Sequence, residues 1–173
     1  MEQMMEQVGL GRRKSFRGFT LTEMLIAVSV VAILTASAAP SYKSLILNQQ
    51  VRTVASDLHT SLFFARGEAI KRAASVDVIP TSGDWTQGWS VQLHDAPKTV
   101  LRNEAAVDSQ LSAMSGSTIT YDSDGRIRAP APSAIIARVS GNTEVTARCV
   151  VLDLSGRASV ILDTDRNPDN GCN

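Results

Sequence analysis

Between Phe19 and Ala39 the chain runs through 21 residues in which Glu23 is the sole ionisable side chain. As a helix rising 1.5 Å per residue, such a run is about 30 Å long, the thickness of a bilayer's hydrocarbon core. Beyond Ala39 apolar residues are dispersed among polar ones. Val51, Val54, Leu58, Leu62, Ala65 and Ala69 recur every three or four positions, with Arg52, Asp57, Arg66 and Glu68 between them. This spacing predicts an amphipathic helix with those four charges on its solvated side. The pattern therefore predicts one long helix, apolar all round in its first half and on one face in its second, ending near Ala74. Pro40 stands where the apolar run ends; a proline there removes one hydrogen bond and predicts a bend.

From Val76 the period shortens to short β runs separated by turn residues. Val76–Ile79, Ser90–His94, Ser117–Tyr121, Ile135–Val139, Arg148–Leu154 and Ala158–Leu162 read as strands. Asp122-Ser123-Asp124-Gly125 and Ser155-Gly156-Arg157 read as turns, the second as a tight hairpin, and 129–133 as a loop. A helix followed by antiparallel strands is an α+β fold. The expected segments are a leader (1–18), a membrane helix (19–39), its amphipathic continuation (40–75) and a β-domain (76–173).

Charge changes the picture through its partition. The formal net charge is zero, which argues against a strongly basic nucleic-acid binder and against an acidic tail protein. Residues 1–18 hold Arg12, Arg13, Lys14 and Arg17 against Glu2 and Glu6, a net +2, and the remainder carries −2. A basic flank before an apolar run orients a single-pass protein with its N-terminus in the cytoplasm. If the segment beyond is exported, Cys149 and Cys172 sit where disulfides persist, and two late cysteines read as one bridge; two unpaired, small apolar residues are the alternative. No CxxC or Cys/His cluster points to metal or redox work.

A secretory signal peptide competes with the membrane-helix reading, because Thr35-Ala36-Ser37-Ala38-Ala39 looks like the small-residue end of one. Its apolar core, however, runs only about 7–15 residues. Glu23 discriminates, since a carboxylate near one end of a membrane helix calls for a specific partner. Arg17-Gly18-Phe19-Thr20-Leu21-Thr22-Glu23-Met24-Leu25-Ile26 resembles the class III signal of type IV pilins and type II secretion pseudopilins. That resemblance implies cleavage after Gly18 by a prepilin peptidase and N-methylation of Phe19. It also implies a helix proline at Pro40, and a Glu23 that faces the N-terminal ammonium of a neighbouring subunit during assembly. Such a pair in an apolar core is better evidence for register than for stability. A Glu23 that snorkels to the headgroups is the plainer alternative.

Ser61-Leu62-Phe63-Phe64-Ala65-Arg66-Gly67-Glu68-Ala69-Ile70-Lys71-Arg72 and Asp84-Trp85-Thr86-Gln87-Gly88-Trp89-Ser90-Val91 resemble the GspH/FimT (FimU) group of minor pilins and minor pseudopilins. Ser155-Gly156-Arg157 matches again, whereas 95–117 matches little. The resemblance implies two packed antiparallel sheets, sandwich-like, against the helix. It implies an inner-membrane protein with a periplasmic C-terminal domain, found after assembly in a pilus or pseudopilus. Implied partners are other minor and major pilins or pseudopilins, the prepilin peptidase, the inner-membrane assembly platform and the lipid bilayer. Trp85 and Trp89 read as core aromatics near a turn.

The remaining chemistry is sparse. His59 and His94 have no glycine-framed serine or HExxH spacing beside them, and no P-loop is present, so neither an enzyme nor a cofactor is expected. Asp163-Thr164-Asp165-Arg166-Asn167-Pro168-Asp169 begins like a calcium loop, but Pro168 replaces the glycine and no bidentate glutamate follows; a solvated loop is the reading. Some FimT-type pilins bind DNA through a C-terminal Gly-Arg-x-Arg. Here Gly156-Arg157-Ala158-Ser159 lacks the second arginine, while Gly125-Arg126-Ile127-Arg128 occurs in an earlier turn. Arg126, Arg128, Arg138, Arg148 and Arg157 are the candidate phosphate contacts. Against DNA stands the tail from Cys149, which carries a net −2.

Overall fold

Thr20 starts the long helix. Its Oγ1 accepts the Glu23 N–H at 3.2 Å, satisfying one of the donors that a helix N-terminus leaves open. Helix α1 runs over Leu21–Arg72, 52 residues, with Glu23 in its first turn and Lys71 and Arg72 in its last. Both charge placements suit the helix dipole. Ala73 stops the helix at φ 51°. The Ala73 N–H returns to the Ile70 carbonyl and the Ala74 N–H to the Ala69 carbonyl, the paired bonds of a Schellman motif. The end expected near Ala74 thus comes at Arg72, where the chain enters the left-handed region without a glycine.

This computed structural model describes residues 18–107, 111, 117–130, 134–139, 141, 142, 144–165 and 172, without the side chains of 38–41. The chain divides into two compact units, 1–39 and 40–173. In the first unit, α1 is long and apolar enough to cross a membrane by length and composition, and none of its most apolar 18-residue window is buried within the protein. Pro40 lies inside α1, but its side chain is outside the described residues. So are the leader charges, at positions 2, 6, 12–14 and 17.

The second unit holds the remainder of α1 and two antiparallel sheets. Strands β1 (Val76–Pro80), β2 (Trp89–Leu93), β3 (Val100–Glu104) and β4 (Ile119–Tyr121) form one sheet in the order β3-β2-β1-β4. Strands β5 (Ala134–Ala137), β6 (Arg148–Leu152) and β7 (Ala158–Leu162) form the other, in chain order. The register aligns Val78 with Val91 and with Ile119, and Val150 with Val160. Val51, Val54, Ala55, Leu58, Leu62, Ala65 and Ala69 of α1 join Val76, Val78, Val91, Ile119, Tyr121, Ile135 and Val150 in one core. Leu58 and Leu62 are wholly buried, which stabilises the unit by about 2 kcal/mol apiece relative to exposure.

Trp85 and Trp89 are core residues, their ring centroids 6.2 Å apart at 51°. Strand β3 was not expected. Its side chains are exposed or half-buried, so as a sheet edge it carries little of the alternation that marks a strand. Arg66 and Glu68 are half-buried rather than fully solvated, because Arg66 reaches across to a turn and Glu68 pairs with Lys71 and Arg72. The guanidinium of Arg72, then the Lys71 ammonium, hold the Glu68 carboxyl below its ordinary value.

Candidate functional site

At the N-terminal end Gly18 and Phe19 precede α1 and are exposed. A Cβ added to Gly18 would meet nothing within 4 Å, so the fold itself imposes no glycine there. Four residues after Phe19, Glu23 is exposed in the first helical turn. Its backbone N–H is held by Thr20, and its carboxylate stands in an otherwise apolar stretch.

Two turns in the second unit repeat one local design. Asp122-Ser123-Asp124-Gly125-Arg126 and Asp153-Leu154-Ser155-Gly156-Arg157 each close with the glycine N–H on the aspartate carbonyl and the aspartate N–H on the arginine carbonyl. Gly125 and Gly156 lie at φ 78° and 82°, the left-handed position that follows a type I turn in a short hairpin loop. The turns meet. A Cβ on Gly156 would run into the Gly125 carbonyl oxygen, which also accepts the Arg66 Nε–H at 3.1 Å. Asp153 accepts from the Ser155 hydroxyl and the Arg157 N–H. Those bonds, the hydroxyl's first, hold its carboxyl below the ordinary value. The sequence showed both turns but not their contact; the repeated Asp-x-x-Gly-Arg spacing is the signal that could have paired them.

Beside the first turn lies a charged relay with no counterpart in the sequence reading. Asp77 on β1 is buried. Its carboxylate accepts from Thr120 at 2.7 Å and from His94 Nδ1 at 2.9 Å. The other ring nitrogen of His94 is 3.0 Å from Arg128 Nη1. Since a guanidinium only donates, that nitrogen accepts and Nδ1 carries the proton. Nη2 of Arg128 donates to Asp122 at 2.5 Å and to Ser75 at 3.1 Å. The Asp–His pairing looks like half a hydrolase triad, but the nitrogen that would take a nucleophile's proton is occupied by Arg128.

The five arginines considered for phosphate contact are not equivalent. Arg128 has both terminal nitrogens engaged, Arg126 and Arg157 are exposed at the two turns, and Arg138 and Arg148 are half-buried on or beside the second sheet. His59 of α1 lies 3.1 Å from the Ala158 carbonyl on β7 through Nε2, a structural bond. Cys149 on β6 is joined to Cys172 with their Cα atoms 6.1 Å apart. Among the described residues no cluster of three acidic, histidine or cysteine side chains is placed to hold a metal. Asp163, expected on a solvated loop, is buried, and its N–H binds the Ala147 carbonyl at 3.1 Å. Burial, followed by the neighbouring Asp165, pushes its carboxyl above the ordinary value. Residues 166–169 of that loop lie outside the described residues.

The family described as type II transport protein GspH matches residues 54–156, more than half of the chain. The prokaryotic N-terminal methylation motif matches residues 13–39, which contain Gly18, Phe19 and Glu23. No curated protein matches. A crystal structure of the type IV minor pilin FimU of Pseudomonas aeruginosa strain PAO1, in space group P21, superposes with a TM-score of 0.57 at 18% identity, covering 65% of this chain and 89% of that one. The same protein in space group P65 gives 0.54 at 19% identity, covering 64% and 91%. At this identity the likeness concerns the fold: a long helix on antiparallel sheets.

Proposed function

From the membership of this chain in the GspH family, and from its N-terminal methylation motif, we propose that it is a minor pilin of a type IV pilus, helping to initiate or assemble the filament and supporting twitching motility. Family and fold are those of structural pilin subunits and not of enzymes. The observation that carries the reading is the division of labour along α1. Its second half is built into a core, while its first half exposes Leu25, Ile26, Val28, Val31, Ile33 and Leu34. Such a surface requires a bilayer or other apolar helices around it.

In this reading a prepilin peptidase cuts between Gly18 and Phe19 and the new amine of Phe19 is methylated. The subunit waits in the inner membrane with its second unit in the periplasm, and Glu23 then sets its register against the amine of a neighbouring pilin. Pro40 bends the helix. Deletion of the gene, scored together for surface piliation, exoprotein secretion and transformation, tests it. Loss of piliation alone is expected; intact piliation and twitching would overturn it.

The family's description favours a second reading, a minor pseudopilin of a type II secretion system. Loss of secretion with piliation intact would establish it. DNA uptake is the third outcome of the same experiment. The engagement of Arg128 leaves Arg126 and Arg157 as its exposed turn arginines, a small cationic footprint for a polyanion.

A further inference from the structure

Under the paired turns lies a cavity of about 350 Å³ lined by His59, Phe63 and Arg66 of α1, Tyr121 of β4, and Gly156, Arg157 and Ala158. Tyr121 is 0% exposed, and its hydroxyl has no hydrogen-bond partner among the described residues. A buried hydroxyl without an acceptor is destabilising. Burial drives the hydroxyl's titration well above its ordinary range, with Arg66 and Asp153 acting on it in opposite directions. It therefore keeps its proton and needs an acceptor. Two of the other lining side chains, Arg66 and Arg157, are cationic. Arg66 is half-buried and fixed through Nε to the Gly125 carbonyl, Arg157 is exposed at the rim, and His59 is pinned to Ala158.

We propose that this cavity receives a single carboxylate presented by a neighbouring subunit, with Tyr121 donating a hydrogen bond to it and Arg66 and Arg157 supplying the counter-charge. The ligand must accept hydrogen bonds and carry negative charge. Two arginines against the nearby Asp153 leave an excess of one positive charge, which matches a monoanion. A ligand must also be slender. The Tyr121 hydroxyl lies beneath the surface, so the slender end of an aspartate or glutamate side chain suits it better than a phosphodiester flanked by two sugars. Arg–carboxylate pairing is among the stronger and more directional of protein contacts. The neighbouring subunit as source rests on the assembly role proposed above; the carboxylate chemistry rests on the cavity alone.

The chain has two tyrosines, Tyr42 and Tyr121, so the full chain in detergent micelles, labelled with ¹³C at tyrosine Cζ, gives two signals, assigned by Tyr42→Phe. Titration with sodium acetate at constant ionic strength, balanced with chloride, should shift the Tyr121 signal saturably. Arg157→Gln, an exposed substitution that spares the core, should weaken that response about ten-fold or more, the effect of a lost contact near 1.4 kcal/mol. A Tyr121 signal that does not saturate, or saturates equally in Arg157→Gln, overturns the site. Saturation by inorganic phosphate but not by acetate overturns the carboxylate assignment. In cells, Arg157→Gln should lower incorporation of the protein into sheared filaments. Unchanged incorporation with intact acetate binding overturns the neighbouring subunit as the source. Failed acetate binding while Glu23→Ala still blocks incorporation removes this site and leaves the assembly reading standing.

Discussion

His94 sits with Nδ1 2.9 Å from both carboxylate oxygens of Asp77, a residue only 4% exposed. With Thr120 as its other donor, Asp77 ties β1 to β4 and to the residue that follows β2. His94→Ala would leave a buried carboxylate with one fewer donor and should cost about 1–3 kcal/mol in urea unfolding. Arg128→Ala, at the exposed end of the relay, should cost less. A double-mutant cycle reads the coupling of the two; additive losses would show that they do not act as a unit.

Gly156 is required twice, by its positive φ and by the Gly125 carbonyl against it. Gly156→Ala should destabilise the second unit by about 2 kcal/mol or more, of which the left-handed backbone alone accounts for about 1–2. Gly67, where an added Cβ meets nothing, is the internal control. Gly67→Ala should stabilise α1 by up to about 1 kcal/mol through helix propensity. Equal thermal shifts in both variants would refute the contrast.

Thr20 and Glu23 separate structure from charge at the start of α1. Thr20→Ala removes the cap and should weaken the first turn by about 0.5–2 kcal/mol while leaving incorporation into filaments largely intact. Glu23→Gln preserves shape and removes charge; it should leave leader cleavage unchanged and impair incorporation. Both are scored by immunoblots of whole cells and sheared filaments, and normal incorporation of Glu23→Gln would sink the register role.

The carboxyl of Asp163 is shifted in the opposite direction to that of Asp153. Its carboxyl is raised in the folded state, so the folded state holds that proton more tightly than the unfolded chain does. Stability from this group is full below the unfolded value near 4 and is lost as pH rises through the raised folded value. Asp163→Asn should therefore raise the thermal midpoint at pH 7. The gain should shrink toward pH 4. A gain independent of pH would mean that ionisation is not its source. For Asp153, whose carboxyl is lowered, stability is present above the unfolded value and is lost as pH falls through the folded one.

The bridge between Cys149 and Cys172 closes a segment with a sequence separation of 23. Replacing both cysteines by alanine should cost about 3 kcal/mol on the chain-entropy account without abolishing the fold, since the core cluster does not include Cys172. Since that account places the effect in the unfolded ensemble, a fall in the urea midpoint with a steeper slope is the expected result; an unchanged midpoint would refute it.

How legible all this was in the sequence depended on the range over which each feature is specified. The α1 stripe from Val51 to Ala69 was readable because every residue in it faces one core, and helical periodicity records that directly. The Asp122 and Asp153 turns were readable because glycine at a left-handed position is a local demand. Strand β3 was hidden because an edge strand with little burial leaves no alternation. Asp77 and Arg66 were hidden because their roles come from partners 17 to 59 positions away, and a lone polar residue does not announce its partner. For Asp163 composition misled: among polar neighbours it looked solvated, yet it is buried where the chain leaves β7.

The continuity of α1 also has a mechanical meaning. A pull delivered at Pro40 enters the second unit through this helix. From Leu47 to Ala69 the buried face extends over about 33 Å at 1.5 Å per residue. Tension is then shared in parallel by the contacts along that face, which must slide together before any one fails. Detachment would resemble drawing a bolt from its housing rather than opening a zip. Substitutions at Leu58 or Leu62, midway along, should lower rupture force out of proportion to their effect on equilibrium stability.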